Sequence, residues 1–157
     1  MIDTNEIRST LNDLIETCKD GEKGFREAAD AVRNVEIRAV FLEYAQQRSE
    51  LAADLQREVS KLGGVPEKSG TVGGSLHRGW MNLKAAITGK DEGAIVAEAE
   101  RGEDTAVKAY QNALKKDIPA DIRRMIEAQY SKVQRAHDRV RSLELTMKSA
   151  GSGSERL

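Results

Sequence analysis

The sequence predicts an all-α protein: a four-helix bundle with a long crossover that contains a short extra helix. Three observations support this prediction, and the first two concern composition. Charged residues make up 32% of the chain and aromatic residues only 4%, and there are just two prolines. A composition of this kind favours long helices over sheets. The third observation is that apolar residues recur at steps of three and four along four long segments, which places each set on one face of a helix.

The predicted helices begin and end at recognisable residues. A residue of the segment 3–5 can cap the first helix, and Asn34 marks a tight turn before the second. Gly63 is expected to end the second helix, and Asp91 to cap the third main helix. Pro119 suits the first position of the last helix. The predicted helices cover residues 4–32, 35–62, 75–88, 92–116 and 120–148.

The connection between the second and third main helices decides the topology. Short joints at Asn34 and at 117–119 make each pair of flanking helices antiparallel. The connection 63–90 can cross the full length of a bundle whose helices are about 43 Å long. One long crossover is the arrangement of ferritin-like bundles, and a simple up-down-up-down bundle is the alternative. We expect a single domain over 1–149 and a disordered tail over 150–157.

Two glycines of the first helix and one apolar face of the crossover helix bear on how the bundle packs. Gly21 and Gly24 lie inside the first helix, where each costs up to about 1 kcal/mol relative to alanine. We expect them to allow close approach of a neighbouring helix or to leave space beside Glu22. The crossover helix is expected to pack onto the bundle through its apolar face, and a dimer contact through the same face is the alternative. This face consists of Leu76, Trp80, Leu83 and Ile87.

Composition also bears on partners and location. The chain has 25 basic and 26 acidic residues, so its net charge gives no electrostatic case for binding nucleic acid or an anionic membrane. No apolar run reaches the ~18 residues of a membrane span, and the N-terminal segment lacks the features of a signal peptide. The single cysteine, Cys18, is expected to be a buried thiol, with a reactive thiol as the alternative. These features predict a cytoplasmic protein, and self-association into a homo-oligomer is plausible for such a bundle.

Charged residues interrupt all four apolar rows. Glu22 lies in the first row, Arg48 in the second, Glu100 and Glu103 in the third, and His137 in the fourth. Charged side chains are rarely buried unless they are paired or bind a metal. Residues equally far from the turn of an antiparallel hairpin lie level with one another. Each hairpin therefore places its charged residues near mid-bundle, although the sequence does not give how the two hairpins dock.

The charged residues near mid-bundle have two main interpretations. In the first, Glu22, Glu100, Glu103 and His137 hold iron, manganese or zinc. In the second, the layer is an ion-pair network in which the guanidinium of Arg48 pairs with the carboxylates and takes the place of the metal. A third interpretation is that some of these residues only flank the core and face water.

Part of the pattern resembles the metal centre of ferritin-like di-iron proteins. Those proteins place a Glu on two helices and a Glu-x-x-His motif on each of the other two. Glu22 and Glu100 resemble the two single carboxylates, and the segment 134–137 resembles one motif with Gln in place of Glu. The second helix has no histidine. The set for two metals is therefore incomplete, which argues against oxidase or iron-storage activity.

The wider chain resembles a bacterial family of ferritin-like four-helix-bundle proteins of unknown function. The resemblance implies a fold and no established reaction or substrate. We therefore expect a non-enzymatic bundle that acts through protein contacts, in connection with stress; the alternative is a metal-binding oxidative-stress protein. The segments that carry the resemblance are LNDLIETCKDGEKGFREAA (11–29), LHRGWMNLKAAITG (76–89), ERGEDTAVKAY (100–110) and AHDRVR (136–141).

Overall fold

The computed structural model describes residues 3–68 and 79–155, with side chains as far as Lys148. Within these ranges the chain is helical and contains no strand, which confirms the predicted all-α class. None of the described helices is long and apolar enough to cross a membrane. The helices are α1 (Thr4–Ala31), α2 (Val35–Lys61), α3 (Leu83–Thr88), α4 (Glu92–Leu114) and α5 (Ala120–Glu155).

The helix ends follow from local capping chemistry. The side chains of Asp3, Asn34 and Asp91 each accept a hydrogen bond from a backbone N–H three residues later, at 2.8, 3.1 and 3.1 Å. Each bond satisfies a donor that the first turn of a helix leaves without a partner. Gly63 ends α2 with a φ of +78°, a left-handed conformation that glycine adopts without a steric penalty. The predicted caps at 3–5 and Asp91 are confirmed, and Asn34, predicted as a turn residue, also caps α2.

Contacts between helix ends establish the topology. Helix α1 packs against α2 and α4, and α5 packs against α4 and α2. Arg33, just after α1, donates its backbone N–H to Glu92 at the start of α4. Lys116, just after α4, donates to Thr10 near the start of α1 at 2.9 Å. Helices α1 and α4 are thus antiparallel, α2 and α4 run in the same direction, and the chain must cross the bundle between them. The single long crossover is confirmed, and the up-down-up-down alternative is wrong.

The short crossover helix differs from its predicted extent of 75–88. It is observed as Leu83–Thr88, residues 79–82 form turns, and the predicted residues 75–78 lie outside the described part of the chain. The helix cannot extend back through Gly79, because this residue has a φ of +96°. A Cβ atom there would lie within 3.0 Å of the backbone of Arg101 and Gly102, so the chain passes directly over α4 at this point.

Trp80 is the residue that fastens the crossover to the bundle. Its side chain is inserted between α1 and α4 and only 2% of its surface is exposed. A Cβ atom at Gly24 or Gly102 would lie within 3.0 Å of the indole ring, so the absence of side chains at both positions makes room for it. The ring also meets Phe25 edge-on, with 5.0 Å between ring centroids. Packing of Trp80 onto the bundle is confirmed, and Gly24 accommodates this side chain.

The end of α5 also differs from its predicted position. The helix continues past Lys148 to Glu155, through most of the segment expected to be a disordered tail. A glycine within a helix costs about 1 kcal/mol relative to alanine, and neither Gly151 nor Gly153 is followed by a proline that would end the helix. Residues 156–157 lie outside the described part of the chain.

The bundle core consists of two apolar clusters separated by a polar layer. The lower cluster, toward the start of α1, includes Leu11, Ile15, Leu51, Leu55, Tyr110 and Ile126. The upper cluster, toward the end of α1, includes Phe25, Phe41, Ala45, Trp80, Val96 and Val140. Along α2 and α4, Arg48 and Glu103 lie at the level between the two clusters, and we call this pair the polar layer.

Candidate functional site

The polar layer is a buried ion pair. Nη2 of Arg48 lies 2.6 Å from Oε2 of Glu103, and the two side chains are 1% and 0% exposed. Because Arg48 belongs to the first hairpin and Glu103 to the second, the docking of the hairpins brings the two predicted levels of charge together. The ion-pair interpretation of the sequence therefore describes these two residues correctly.

The surroundings of the pair hold the guanidinium in place. Gly21 of α1 leaves the space that Arg48 occupies, because a Cβ atom there would lie 3.2 Å from Nη1. The guanidinium carbon is 5.7 Å from the centroid of the Phe25 ring, within the range of a cation–π contact. Burial disfavours the charged guanidinium, but the charge and hydrogen bond of Glu103 outweigh this, so the pKa of Arg48 is raised. Nε of Arg48 and Oε1 of Glu103 have no hydrogen-bond partner among the described residues.

A chain of neutral polar groups lies beside the polar layer. Gln129 donates to the backbone carbonyl of Leu51 at 3.2 Å and accepts a hydrogen bond of 2.7 Å from the Tyr110 hydroxyl. The sulfur of Cys18 is 3.3 Å from the same hydroxyl, so its thiol can donate to the tyrosine oxygen. Burial raises the pKa of Cys18, and burial followed by the adjacent thiol holds the pKa of Tyr110 well above its ordinary value. The prediction that Cys18 is a free, buried thiol is confirmed.

These raised pKa values predict a loss of stability in alkaline solution. In the unfolded chain the thiol ionises near pH 8.5 and the phenol near pH 10, whereas the folded protein keeps both protons to higher pH. The contribution of these two groups to the free energy of unfolding is thus fully present below pH 8.5, and it is lost as the pH rises through the folded pKa values. We expect the free energy of unfolding, measured in urea between pH 8 and 10.5, to fall less steeply in Cys18→Ala and Tyr110→Phe. The slope of Val59→Ala, a core variant that removes no ionisable group, should match that of the unmodified protein.

Glu22 is not part of the polar layer. Its carboxylate pairs with Lys19 at 3.4 Å and with Arg26 at 3.2 Å, both on the same helix. Its side chain is 19% exposed, and the neighbouring Gly21 is the residue of α1 that lies against Arg48. Successive residues of a helix are rotated by about 100°, so Gly21 and Glu22 cannot face the same neighbour.

A second cluster of ionisable residues lies at the outer edge between α4 and α5. Nε2 of His137 is 2.5 Å from Oδ1 of Asp104, and Nδ1 is 3.2 Å from Oδ1 of Asp138. One ligand atom each from Glu100, Asp104 and His137 lie within 4.8 Å of one another. The His137 side chain is 16% exposed and that of Asp104 is 50% exposed. We call these three residues the outer cluster.

Comparison with known protein families classifies the chain. A family model described as "Domain of unknown function (DUF2383)" matches residues 6–116. The chain belongs to this family. The DUF2383 match includes Arg48, Glu103, Glu100 and Asp104, and it ends before α5, where His137 lies. No curated protein matches the chain.

The predicted metal-binding set is divided by the fold of this DUF2383 protein. Glu103 is inside with Arg48, whereas Glu100 and His137 lie together at the outer edge and Glu22 pairs on α1. Gln134, which stands in the motif-like segment, is exposed and donates to the hydroxyl of Tyr130. The interior therefore does not fit a di-metal centre, because a cationic guanidinium lies against the one carboxylate of the predicted set that is buried there.

Asp104 and Asp138 belong to the outer cluster and its surroundings, and the apolar rows did not reveal them. Both are exposed, so no interruption of a row marks their positions. A signal was nevertheless present, because Glu100 and Asp104 are four residues apart and therefore lie on the same side of a helix. Asp138 directly follows His137 in the sequence, and no periodic pattern singles it out.

Proposed function

We propose that this DUF2383 protein is a ferritin-like bundle that has no enzymatic activity and acts through contacts with other proteins, in connection with stress, in the bacterial cytoplasm. The observation that carries the proposal is the ion pair between Arg48 and Glu103 at the centre of the bundle. The single crossover supports the relation to ferritin-like proteins, in which metal sites are built from side chains on facing helices.

The ion pair is incompatible with metal at the same place for two physical reasons. The guanidinium already neutralises Glu103, so a metal ion bound there would meet a like charge at close range in a medium of low dielectric constant. The other polar groups described beside the pair, Cys18, Tyr110 and Gln129, are neutral as arranged, and Tyr110 forms a hydrogen bond with each of the other two. A set of several carboxylates, which di-iron chemistry needs, is thus replaced by one carboxylate and one guanidinium.

The nearly balanced charge of the chain supports protein contacts over binding to nucleic acid or to an anionic membrane. A second copy of the chain is one partner that we propose, and light scattering measures this self-association directly. The buried, unreactive environment of Cys18 is consistent with the proposed reducing location.

The second candidate function is that of a metal-binding oxidative-stress protein that holds iron, manganese or zinc. It is favoured by a different observation, the outer cluster of Glu100, Asp104 and His137, and not by the polar layer. The two functions therefore depend on separate parts of the fold and can be tested separately.

The test of the first function is the metal content of the interior. We expect tag-free protein that carries Asp104→Ala and His137→Ala, which removes two residues of the outer cluster, to retain no stoichiometric iron after anaerobic incubation with ferrous iron and desalting. It should also oxidise ferrous iron no faster than a protein-free blank once air is admitted. Elemental analysis and absorbance measure the two quantities. Two tightly held irons per chain, or rapid oxidation, would contradict the proposal.

A further inference from the structure

We propose that the outer cluster is a binding site for one divalent transition-metal ion, with zinc as the reference ion. Its ligands are a carboxylate oxygen from Glu100, one from Asp104, and Nε2 of His137. The site is separate from the polar layer and lies at the edge of the bundle, between α4 and α5.

The geometry supports this site because the ligands come from two packed helices. Glu100 and Asp104 are four residues apart on α4, and His137 approaches them from α5. Tetrahedral zinc binds imidazole nitrogen and carboxylate oxygen at about 2.0–2.2 Å, which places its ligand atoms about 3.4 Å apart. The three ligand atoms lie within 4.8 Å of one another, and Nε2 of His137 is 2.5 Å from Oδ1 of Asp104. Rotations of these side chains that shorten the longer separations and lengthen the shortest one would give the tetrahedral spacing.

The two neighbours of the His137 ring also suit a metal ligand. Nδ1 lies 3.2 Å from Oδ1 of Asp138, so a carboxylate stands beside this nitrogen. Nε2 lies on the side of the cluster, 2.5 Å from Oδ1 of Asp104. A carboxylate at one ring nitrogen and a metal ion on the other is the usual arrangement around a metal-bound histidine.

The charge of the site and the type of its ligands narrow the choice of metal ion. Glu100 and Asp104 carry two negative charges, and among the described residues neither forms an ion pair with a lysine or arginine. A dication balances this charge. Magnesium, calcium and manganese prefer oxygen ligands, whereas an imidazole nitrogen favours zinc, copper, iron or nickel. Three protein ligands leave a further position on the ion for water or for another ligand.

The experiment is zinc titration of tag-free protein that has been treated with a chelator and desalted, followed by calorimetry or by competition with a zinc indicator. We expect one ion per chain. Removing a ligand with His137→Ala or Asp104→Ala should weaken binding at least 100-fold, and Asp138→Asn, which changes only the orienting group, should weaken it about 10-fold. The matched control for Asp104→Ala is Asp121→Ala, which removes an exposed aspartate near the start of α5 and should leave the affinity unchanged.

A second measurement identifies the bound atom. The ring-nitrogen resonances of His137 should report a zinc-bound Nε2 and a protonated Nδ1 on addition of zinc. Absence of zinc binding, equal affinity in His137→Ala, or a ring that stays protonated at both nitrogens in excess zinc would each overturn the proposal and leave a simple imidazolium pair. The inference rests on the second candidate function. These results do not bear on the first proposed function, which fails if protein that lacks the outer cluster holds two irons or oxidises ferrous iron rapidly.

Discussion

Arg48→Met should lower the free energy of unfolding by about 3–5 kcal/mol. Methionine fills much of the volume of the arginine side chain, so the loss comes mainly from charge. Glu103 is fully buried, and the guanidinium of Arg48 is its ion-pair partner at 2.6 Å. Without that partner the carboxylate must lose its charge or draw water into the core, and either change destabilises the folded state. Urea denaturation followed by circular dichroism measures the difference.

Two further variants separate the buried charge from other effects. The double variant Arg48→Met/Glu103→Leu removes both charges and should recover most of the stability, because an apolar pair can replace a buried ion pair with little or no loss. Arg57→Met is the surface control: Arg57 pairs with Asp54, and the two side chains are 66% and 48% exposed. It should cost less than about 1 kcal/mol. A double variant as unstable as Arg48→Met would show that charge is not the cause.

Gly102→Ala should destabilise the protein by about 3 kcal/mol, at the upper end of the range for overpacked cores. An alanine Cβ at this position would lie within 3.0 Å of the Trp80 ring, which is 2% exposed and held from the other side by α1. The ring has no free direction in which to move, so either the crossover or α4 must shift. The fluorescence of Trp80, the only tryptophan in the chain, reports both the unfolding transition and any displacement of the ring.

The cause of this effect can be isolated in two ways. Gly89→Ala adds the same methyl group at an exposed glycine, where the nearest atom to the new Cβ would be a carbonyl oxygen 3.4 Å away, and it should change stability by less than about 0.5 kcal/mol. In a Trp80→Leu background the extra methyl at Gly102 should cost much less than it does beside the indole. An unchanged cost in that background would mean that contact with Trp80 is not responsible.

The ends of the main helices could be predicted because their signals are local. Asn34 and Asp91 use a side-chain oxygen that reaches a backbone N–H three residues on, and Gly63 needs only its own conformational freedom. The extent of the crossover helix could not be predicted in the same way. Its start depends on Gly79 passing over α4, and that contact joins parts of the chain more than twenty residues apart.

The candidate site was predictable as a level in the bundle but not as a set of contacts. The distance of Arg48 and Glu103 from their turns gave their height, whereas their meeting depends on how the two hairpins dock. The error at Glu22 has a simpler cause. Gly21 lies against Arg48 but has no side chain, so it does not stand out in an apolar row, and the row points to its neighbour Glu22 instead.

The position of α5 has a consequence for what can fold independently. The family match ends at residue 116, yet Val133, Ala136 and Val140 of α5 are fully buried and complete both apolar clusters. A fragment trimmed to the matched residues would expose one wall of its interior to water, including the side of Tyr110 that bonds to Gln129. The segment that sequence comparison delimits is therefore shorter than the autonomous folding unit.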